Sequence, residues 1–156
     1  MIQFNIPGVG ELKINNLLFD YNGTIAVDGI PVPGIKEKMN RHAKNVNIHV
    51  ITADTFGTVK KALEDVDCSV VTLEGGDHRQ AKASFLEELG PENTLAVGNG
   101  ANDELMLKNA ALGAAVLLEE GMNTKTLAAS DIMVRDVMDI FGYLEKPDRL
   151  VAVLRV

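Results

Sequence analysis

The chain of 156 residues has the length of one ordinary domain, and its 46% hydrophobic and 24% charged residues are typical of globular proteins. Its formal charge of −7 disfavours nucleic-acid and anionic-membrane partners, because both require a basic surface. The sequence contains neither a secretion signal nor a long apolar segment, and its single cysteine, Cys68, precludes an internal disulfide. We therefore expect one cytoplasmic domain over residues 1–156.

The pattern of apolar residues predicts strands that alternate with helices. In chain order, the expected elements are a hairpin at 2–14, a strand at 17–20, a small hairpin at 25–33, a helix at 35–43, a strand at 47–51, a helix at 56–66, a strand at 68–73, a helix at 78–89, a strand at 94–97, a helix at 103–110, strands at 114–117 and 132–134, and helices at 136–144 and 148–155. This order is typical of a three-layer, Rossmann-like α/β fold, in which helices cover both faces of a mainly parallel sheet.

Chemically useful side chains follow the predicted strands. Asp20 ends the first buried strand, Thr52 follows the second, and Asn99 and Asp103 follow the strand at 94–97. Lys82 lies on the helix after the third strand. In an open parallel sheet, ligands bind beyond the carboxyl ends of the strands. Carboxylates can hold Mg²⁺ there, while a hydroxyl group, a lysine and free backbone amides can bind phosphate.

Each of these positions also has a structural explanation when it is taken alone. Asn22 and the glycine after it are typical of a turn, and Thr52 or Asp54 can cap a helix. Lys82 can be a solvated helix residue, and the glycines around Asn99 can form a tight turn. Their joint occurrence, in this order and at successive strand ends, favours the functional interpretation.

Four segments resemble the motifs of the haloacid dehalogenase superfamily. Residues 18–24, Leu-Phe-Asp-Tyr-Asn-Gly-Thr, resemble its apolar strand followed by Asp-x-Asp-Gly-Thr. Residues 50–54, Val-Ile-Thr-Ala-Asp, are similar to its second motif in the P-type ATPase form, and Lys82 matches the third. Residues 97–103, Val-Gly-Asn-Gly-Ala-Asn-Asp, resemble the motif shared by P-type ATPases and phosphoserine phosphatase. The resemblance covers about residues 16–134 and implies a capless, soluble member similar to P-type ATPases.

The resemblance also implies a role for each matching residue. Asp20 would be the nucleophile that forms an aspartyl-phosphate. The implied catalytic residues are Asp20, Asn22, Thr52 and Lys82. The implied phosphate-binding residues are Gly23, Thr52, Ala53, Lys82 and Asn102. The implied ligands of Mg²⁺, the expected cofactor, are Asp20, the backbone carbonyl of Asn22, Asn99 and Asp103.

Two residues depart from the family pattern. Asn22 stands where phosphatases of the family have an aspartate that acts as general acid and base, and an amide cannot carry that proton. Asn99 stands where the leading metal-binding aspartate is expected, so the metal site loses one negative charge. We therefore expect weak metal binding and slow turnover.

The short intervals between the motifs leave no room for a cap domain. Only 27 residues separate Thr24 from Thr52, and only 29 separate Thr52 from Lys82. The hairpin at 25–33 is then the only flap over the site. An open site suits a phosphorylated small molecule or a phosphoprotein, and it also favours a homo-oligomer in which a neighbouring subunit supplies the lid. The sequence thus predicts a Mg²⁺-dependent phosphatase. The alternative is an impaired regulatory domain that binds a phosphorylated ligand or partner without turnover.

Overall fold

A computed structural model describes residues 1–54 and 56–156 of the chain. Its strands are β1 (Ile2–Ile6), β2 (Gly10–Ile14), β3 (Asn16–Asp20), β4 (Ala26–Val27), β5 (Ile30–Pro31), β6 (Asn47–Thr52), β7 (Ser69–Thr72), β8 (Thr94–Gly98), β9 (Leu112–Val116) and β10 (Ile132–Val134). Its α-helices are α1 (Ile35–His42), α2 (Thr58–Ala62), α3 (His78–Leu89), α4 (Glu104–Asn109), α5 (Thr124–Ala129), α6 (Met138–Glu145) and α7 (Pro147–Leu154).

A six-stranded sheet with the strand order β10-β9-β8-β3-β6-β7 forms the centre of the fold, and every pair of neighbours in it is parallel. The hairpins β1-β2 and β4-β5 stand outside this sheet as separate antiparallel pairs. Strand β3 lies between β6 and β8, so its backbone is hydrogen-bonded on both sides.

The side chains of β3 alternate between two hydrophobic cores. Leu17 and Phe19 belong to the larger core, where the ring of Phe19 stacks on Phe141 of α6 at a centroid distance of 5.8 Å. Leu18 points to the smaller core, which it shares with Leu86 of α3 and with residues of α4. A strand that is buried on both faces needs helices on both faces. The structure therefore confirms the predicted three-layer α/β fold.

Two elements differ from the sequence-based expectation. The helix predicted at 56–66 is limited to Thr58–Ala62, because the aspartates and the valine of 65–67 are poor helix formers and acidic side chains are unfavourable at a helix C-terminus. Helix α5 was not predicted, since its six residues show no apolar period. Asn123 caps α5 by accepting hydrogen bonds from the backbone amides of Lys125 and Thr126, and this cap is the sequence signal for the helix.

Cys68 is the first residue of the strand predicted at 68–73, but the structure places it outside that strand. It precedes β7 and is half-buried against the larger core, with its thiol pKa raised to about 11 by burial and by the nearby charge of Asp67. In the part of the chain that the structure describes, no helix has the length and hydrophobicity to cross a membrane.

The parallel sheet brings the predicted functional residues to one edge. Asp20 is the last residue of β3 and is in register with Ile51, the residue before Thr52 in β6. On the other side, Phe19 is in register with Val97, so β8 ends beside Asp20 as well. The carboxyl ends of the three central strands therefore meet at Asp20.

Gly113 allows α4 to pack closely on the sheet, and we predict that it does not tolerate a side chain. A Cβ atom at Gly113 would lie 2.2 Å from the carbonyl oxygen of Leu107 in α4. Gly113→Ala should therefore lower the free energy of unfolding by about 2 kcal/mol or more, as measured by urea denaturation. Gly142→Ala is the matched control, because a Cβ there meets only Arg149 at 3.5 Å inside helix α6 and should leave stability unchanged or slightly higher. Equal stabilities of the two variants would contradict this packing.

Candidate active site

A cleft of about 510 Å³ opens at the carboxyl edge of the sheet. Six of the residues predicted for the site line it: Asp20, Asn22, Thr52, Ala53, Asn99 and Asn102. Lys82 and Asp103 do not line the cleft, because they are fully buried behind Asp20. The six lining residues thus face the cleft, whereas Lys82 and Asp103 lie in the protein interior next to Asp20.

Lys82 bridges the two aspartates. Its Nζ atom lies 2.6 Å from Oδ1 of Asp20 and 2.6 Å from Oδ1 of Asp103. Burial alone would lower the pKa of Lys82, but the two carboxylates outweigh this effect and raise it, so the side chain is a charged ammonium. The alternative that Lys82 is a solvated helix residue is therefore wrong. The direct contact between Lys82 and phosphate stays a prediction.

Both carboxylate oxygens of Asp103 accept hydrogen bonds from protein groups. Its Oδ2 atom accepts from the backbone amides of Asn99 and Gly100, each at 2.9 Å, while Oδ1 accepts from Lys82. Gly98 is required for this arrangement, since a Cβ there would lie 2.5 Å from Cγ of Asp103. Asp103 therefore holds Lys82 and the loop after β8 in this structure, and its role as a metal ligand stays a prediction.

Asp20 is less well neutralised than Asp103, although both share the same ammonium. Its side chain is 12% exposed, and its other oxygen, Oδ2, lies 3.3 Å from the hydroxyl of Thr24, while the backbone of Tyr21 also interacts with the carboxylate. Burial and the repulsion of Asp103 raise the pKa of Asp20 to about 7, against the opposing attraction of Lys82. When both carboxylates are ionised, the three groups carry a net charge of −1.

Thr24 joins Asp20 to Asn99, and its role was missed at the level of sequence. Its buried hydroxyl lies 3.3 Å from Oδ2 of Asp20 and 3.2 Å from Oδ1 of Asn99. A hydroxyl has one proton to donate, so Thr24 can donate to only one of these two oxygens at a time. Its position at the end of the first motif is the signal that could have identified it.

Gly23 is held by packing and does not offer a free amide. Its N–H donates to the carbonyl of Ala26 at 2.7 Å, and a Cβ at this position would lie 2.2 Å from the side-chain nitrogen of Asn99. The amide of Gly23 is thus engaged within the loop, and phosphate binding by Gly23 stays a prediction. A glycine with φ +75° is needed here because the loop turns tightly beneath Asn99.

Asp54 caps the start of α2, which was the structural alternative for this position. Its carboxylate accepts from the backbone amides of Phe56 at 3.0 Å and Val59 at 2.9 Å, and from the hydroxyl of Thr58 at 2.5 Å. These bonds, the Thr58 hydroxyl foremost, lower the pKa of Asp54. The hydroxyl of Thr52 accepts from the amide of Asp54 at 3.2 Å, so Thr52 is oriented at the cleft by the same turn.

The segment after β9 closes one side of the site, and the sequence did not indicate this role. The side-chain amide of Asn99 donates to the carbonyl of Gly121 at 3.0 Å. Glu120 accepts from the backbone amide of Asp28 at 2.7 Å, at the turn of the β4-β5 flap. The flap is thereby tied to the same segment that positions Asn99.

The oxygen donors of the site fit a weakly held Mg²⁺. Oδ2 of Asp20 and Oδ1 of Asn99 lie on either side of one hydroxyl, which can donate its proton to only one of them at a time. Mg²⁺ prefers oxygen ligands and is often held by one or two carboxylates together with the phosphate of a substrate. Among the residues described, no group of three or more histidine, cysteine, aspartate or glutamate side chains could hold a metal alone. A Mg²⁺ ion bound here would also take ligands from water or from a phosphate group.

Two relatives match about half of the chain. An uncharacterized protein of Methanocaldococcus jannaschii is 46% identical over 84 residues, which are 51% of this chain and 90% of that protein. A phosphoserine phosphatase of Idiomarina loihiensis is 33% identical over 81 residues, which are 48% of this chain and 36% of that enzyme.

Solved structures of phosphatases share the fold. The cobalt-bound deoxy-D-mannose-octulosonate 8-phosphate phosphatase of Haemophilus influenzae has a TM-score of 0.71 at 10% identity, over 92% of this chain and 94% of that chain. The 3-deoxy-D-manno-octulosonate 8-phosphate phosphatase of Moraxella catarrhalis, solved with magnesium, phosphate and a KDO molecule, has a TM-score of 0.66 at 15% identity, over 91% and 94% of the two chains.

The family model of haloacid dehalogenase-like hydrolases matches residues 5–111, which include all four motifs. This match covers more than half of the 156 residues and agrees with the parallel sheet that brings Asp20, Thr52 and Asn99 to one edge. The chain belongs to the haloacid dehalogenase-like hydrolase family.

Proposed function

We propose that this protein hydrolyses phosphate monoesters through an aspartyl-phosphate on Asp20, with Mg²⁺ as cofactor and with slow turnover. The observation that carries the proposal is the asymmetry of the buried ion cluster. Of the three charged residues, only Asp20 reaches the cleft, and burial together with the charge of Asp103 raises its pKa to about 7 despite the attraction of Lys82. Such a carboxylate is a good nucleophile when it is ionised.

In the first step, a carboxylate oxygen of Asp20 attacks phosphorus, and the bond from phosphorus to the ester oxygen breaks. The departing alkoxide takes a proton from water, because Asn22 lines the cleft without a proton to give. In the second step, water attacks the phosphorus of the aspartyl-phosphate. The bond to Asp20 breaks, phosphate leaves, and the proton of the water passes to solvent.

The residues behind Asp20 hold it in place during both steps. Lys82 keeps one oxygen of Asp20 fixed at 2.6 Å, which leaves the other oxygen on the side of the cleft. The Thr52 hydroxyl and the exposed backbone of Ala53 border the same space and are suited to hold phosphoryl oxygens. Asn102 lines the cleft from the loop after β8 and can donate its side-chain amide to phosphate.

The groups that would hold Mg²⁺ are Asp20, the backbone carbonyl of Asn22, the side-chain oxygen of Asn99 and Asp103. When bound, the cation supplies the positive charge that the site lacks and stabilises charge on the phosphoryl oxygens. The phosphatases of Moraxella catarrhalis and Haemophilus influenzae, solved with magnesium and cobalt, support a divalent cation in this fold.

Asn22 also supports a second candidate function. A site that forms an acyl phosphate but lacks a general base could serve as a domain that binds a phosphorylated ligand or partner without turnover. Asn99 favours the same alternative, because its amide lowers the negative charge available to a metal. Hydrolysis assays with variants of Asp20 and Asn22 separate the two functions.

The first prediction concerns Asp20. In the presence of Mg²⁺, the wild-type protein should hydrolyse p-nitrophenyl phosphate slowly, and Asp20→Asn should lower that rate by at least about 10³-fold because the nucleophile is lost. The measurement is the release of p-nitrophenolate. Asp65→Asn is the control, since Asp65 is an exposed surface residue paired with Lys36 and lies outside the cleft. Equal rates for wild type and Asp20→Asn would exclude the enzyme function.

The second prediction concerns the missing proton carrier. Asn22 is exposed at the cleft, so an aspartate is tolerated there and can supply a proton to the leaving group and then accept one from water. Asn22→Asp should raise hydrolysis by about 10²-fold or more. The double variant Asp20→Asn/Asn22→Asp is the control and should remain inactive. If Asn22→Asp brings no gain, this position does not limit turnover.

A further inference from the structure

The outer part of the cleft, away from Asp20, is lined by an aromatic side chain and by acidic side chains. Phe56, at the border of the cleft, is 91% exposed and thus presents an aromatic ring with little protein contact. The carboxylates of Asp54 and Glu120 line the same cleft. A leaving group attached to a phosphate at Asp20 therefore meets one aromatic side chain and two acidic ones.

The two carboxylates stand on opposite sides of the cleft. Asp54 follows β6 and Glu120 follows β9, and these strands lie on opposite sides of β3 and β8 in the sheet. Both side chains are held in place, Asp54 by its bonds at the start of α2 and Glu120 by the backbone amide of Asp28. A group between them is approached by negative charge from both directions.

No positive side chain offsets this charge among the residues that the structure shows lining the cleft. Lys82, the nearest cation of the site, is buried behind Asp20 and shared by two aspartates. The whole chain also carries a formal charge of −7. A second negative charge on a substrate is therefore repelled, while a positive charge is attracted.

We propose that the cleft selects phosphate monoesters whose leaving group carries an ammonium on a short apolar stem, and that it rejects those with a carboxylate at the same place. This inference rests on the proposed function for the orientation of the substrate, with its phosphate at Asp20. Glu120 and Asp54 supply the attraction, and the face of Phe56 contacts the methylene or methyl groups next to the cation.

Three two-carbon probes that differ in charge test the selection: O-phosphoethanolamine, ethyl phosphate and phosphoglycolate. Their affinities are measured by calorimetry on Asp20→Asn with Mg²⁺, so that no probe is hydrolysed. O-phosphoethanolamine should bind about tenfold more tightly than phosphoglycolate, with ethyl phosphate between them. Equal affinities, tighter binding of phosphoglycolate, or no binding of any probe would overturn the inference.

Two further variants assign the effect to the named residues. Glu120→Gln keeps an oxygen that accepts from Asp28 but loses the charge, so the ratio between O-phosphoethanolamine and phosphoglycolate should fall. Glu119→Gln is the matched control, because Glu119 lines a different groove and should leave the ratio unchanged. Phe56→Ala should weaken the binding of O-phosphoethanolamine by about threefold, and unchanged binding would contradict the role given to Phe56. A ratio that responds equally to both glutamate substitutions would contradict the assignment to Glu120.

Hydrolysis of the same probes by the wild-type protein keeps the two proposals apart. If the affinities rank as expected but no probe is hydrolysed, the selection stands and the catalytic proposal fails. If all probes are hydrolysed at similar kcat/KM and bind with similar affinity, the catalytic proposal stands and the selection fails.

Discussion

A single buried ammonium between two carboxylates determines the arrangement of this site. Lys82 touches Asp20 and Asp103 at 2.6 Å each, but it can neutralise only one of them. The backbone amides of Asn99 and Gly100, at the start of the loop after β8, both donate to Asp103. They stabilise the negative charge of Asp103 and not that of Asp20. Asp20 is left as the carboxylate with unbalanced charge. Breaking such a buried cluster costs about 3–5 kcal/mol, so the fold and the chemistry depend on the same three residues.

The remaining features follow from this imbalance. The hydroxyl of Thr24 lies between Oδ2 of Asp20 and Oδ1 of Asn99 and has one proton for these two oxygens. Two oxygen acceptors that share one proton are suited to bind a cation. Asn99 also holds the segment after β9, and that segment holds the flap through Glu120. The floor of the cleft and its outer walls are thus connected through one amide side chain. An aspartate at position 99 would bind a metal more strongly, but it could not donate to Gly121.

The sequence was sufficient to predict the parallel sheet and the residues at its edge, because strand ends and family motifs are local patterns. The pairing of Lys82 with both aspartates could not be derived from sequence, since it depends on the distance between α3 and the loop after β8. Thr24 and Glu120 were missed for the same reason: their partners lie 75 and 92 residues away along the chain. Asp54 matched a family motif, yet its hydrogen bonds assign it to the start of α2. Helix α5 has only six residues, too few to show a helical period of apolar side chains, so it could be identified only from its cap at Asn123.

The most direct test of this account is the titration of the Asp20 carboxyl carbon by NMR in metal-free protein, with Asp20→Asn for assignment. The account predicts a pKa of about 7, far above the ordinary value of 3.8, and a lower pKa when Mg²⁺ is added. Because the folded protein then binds the proton more tightly than the unfolded chain, this group stabilises the fold fully below about pH 4, and the contribution disappears as the pH rises through 7. A carboxyl that titrates near 4 without metal would contradict the account, since Lys82 would then neutralise Asp20 completely.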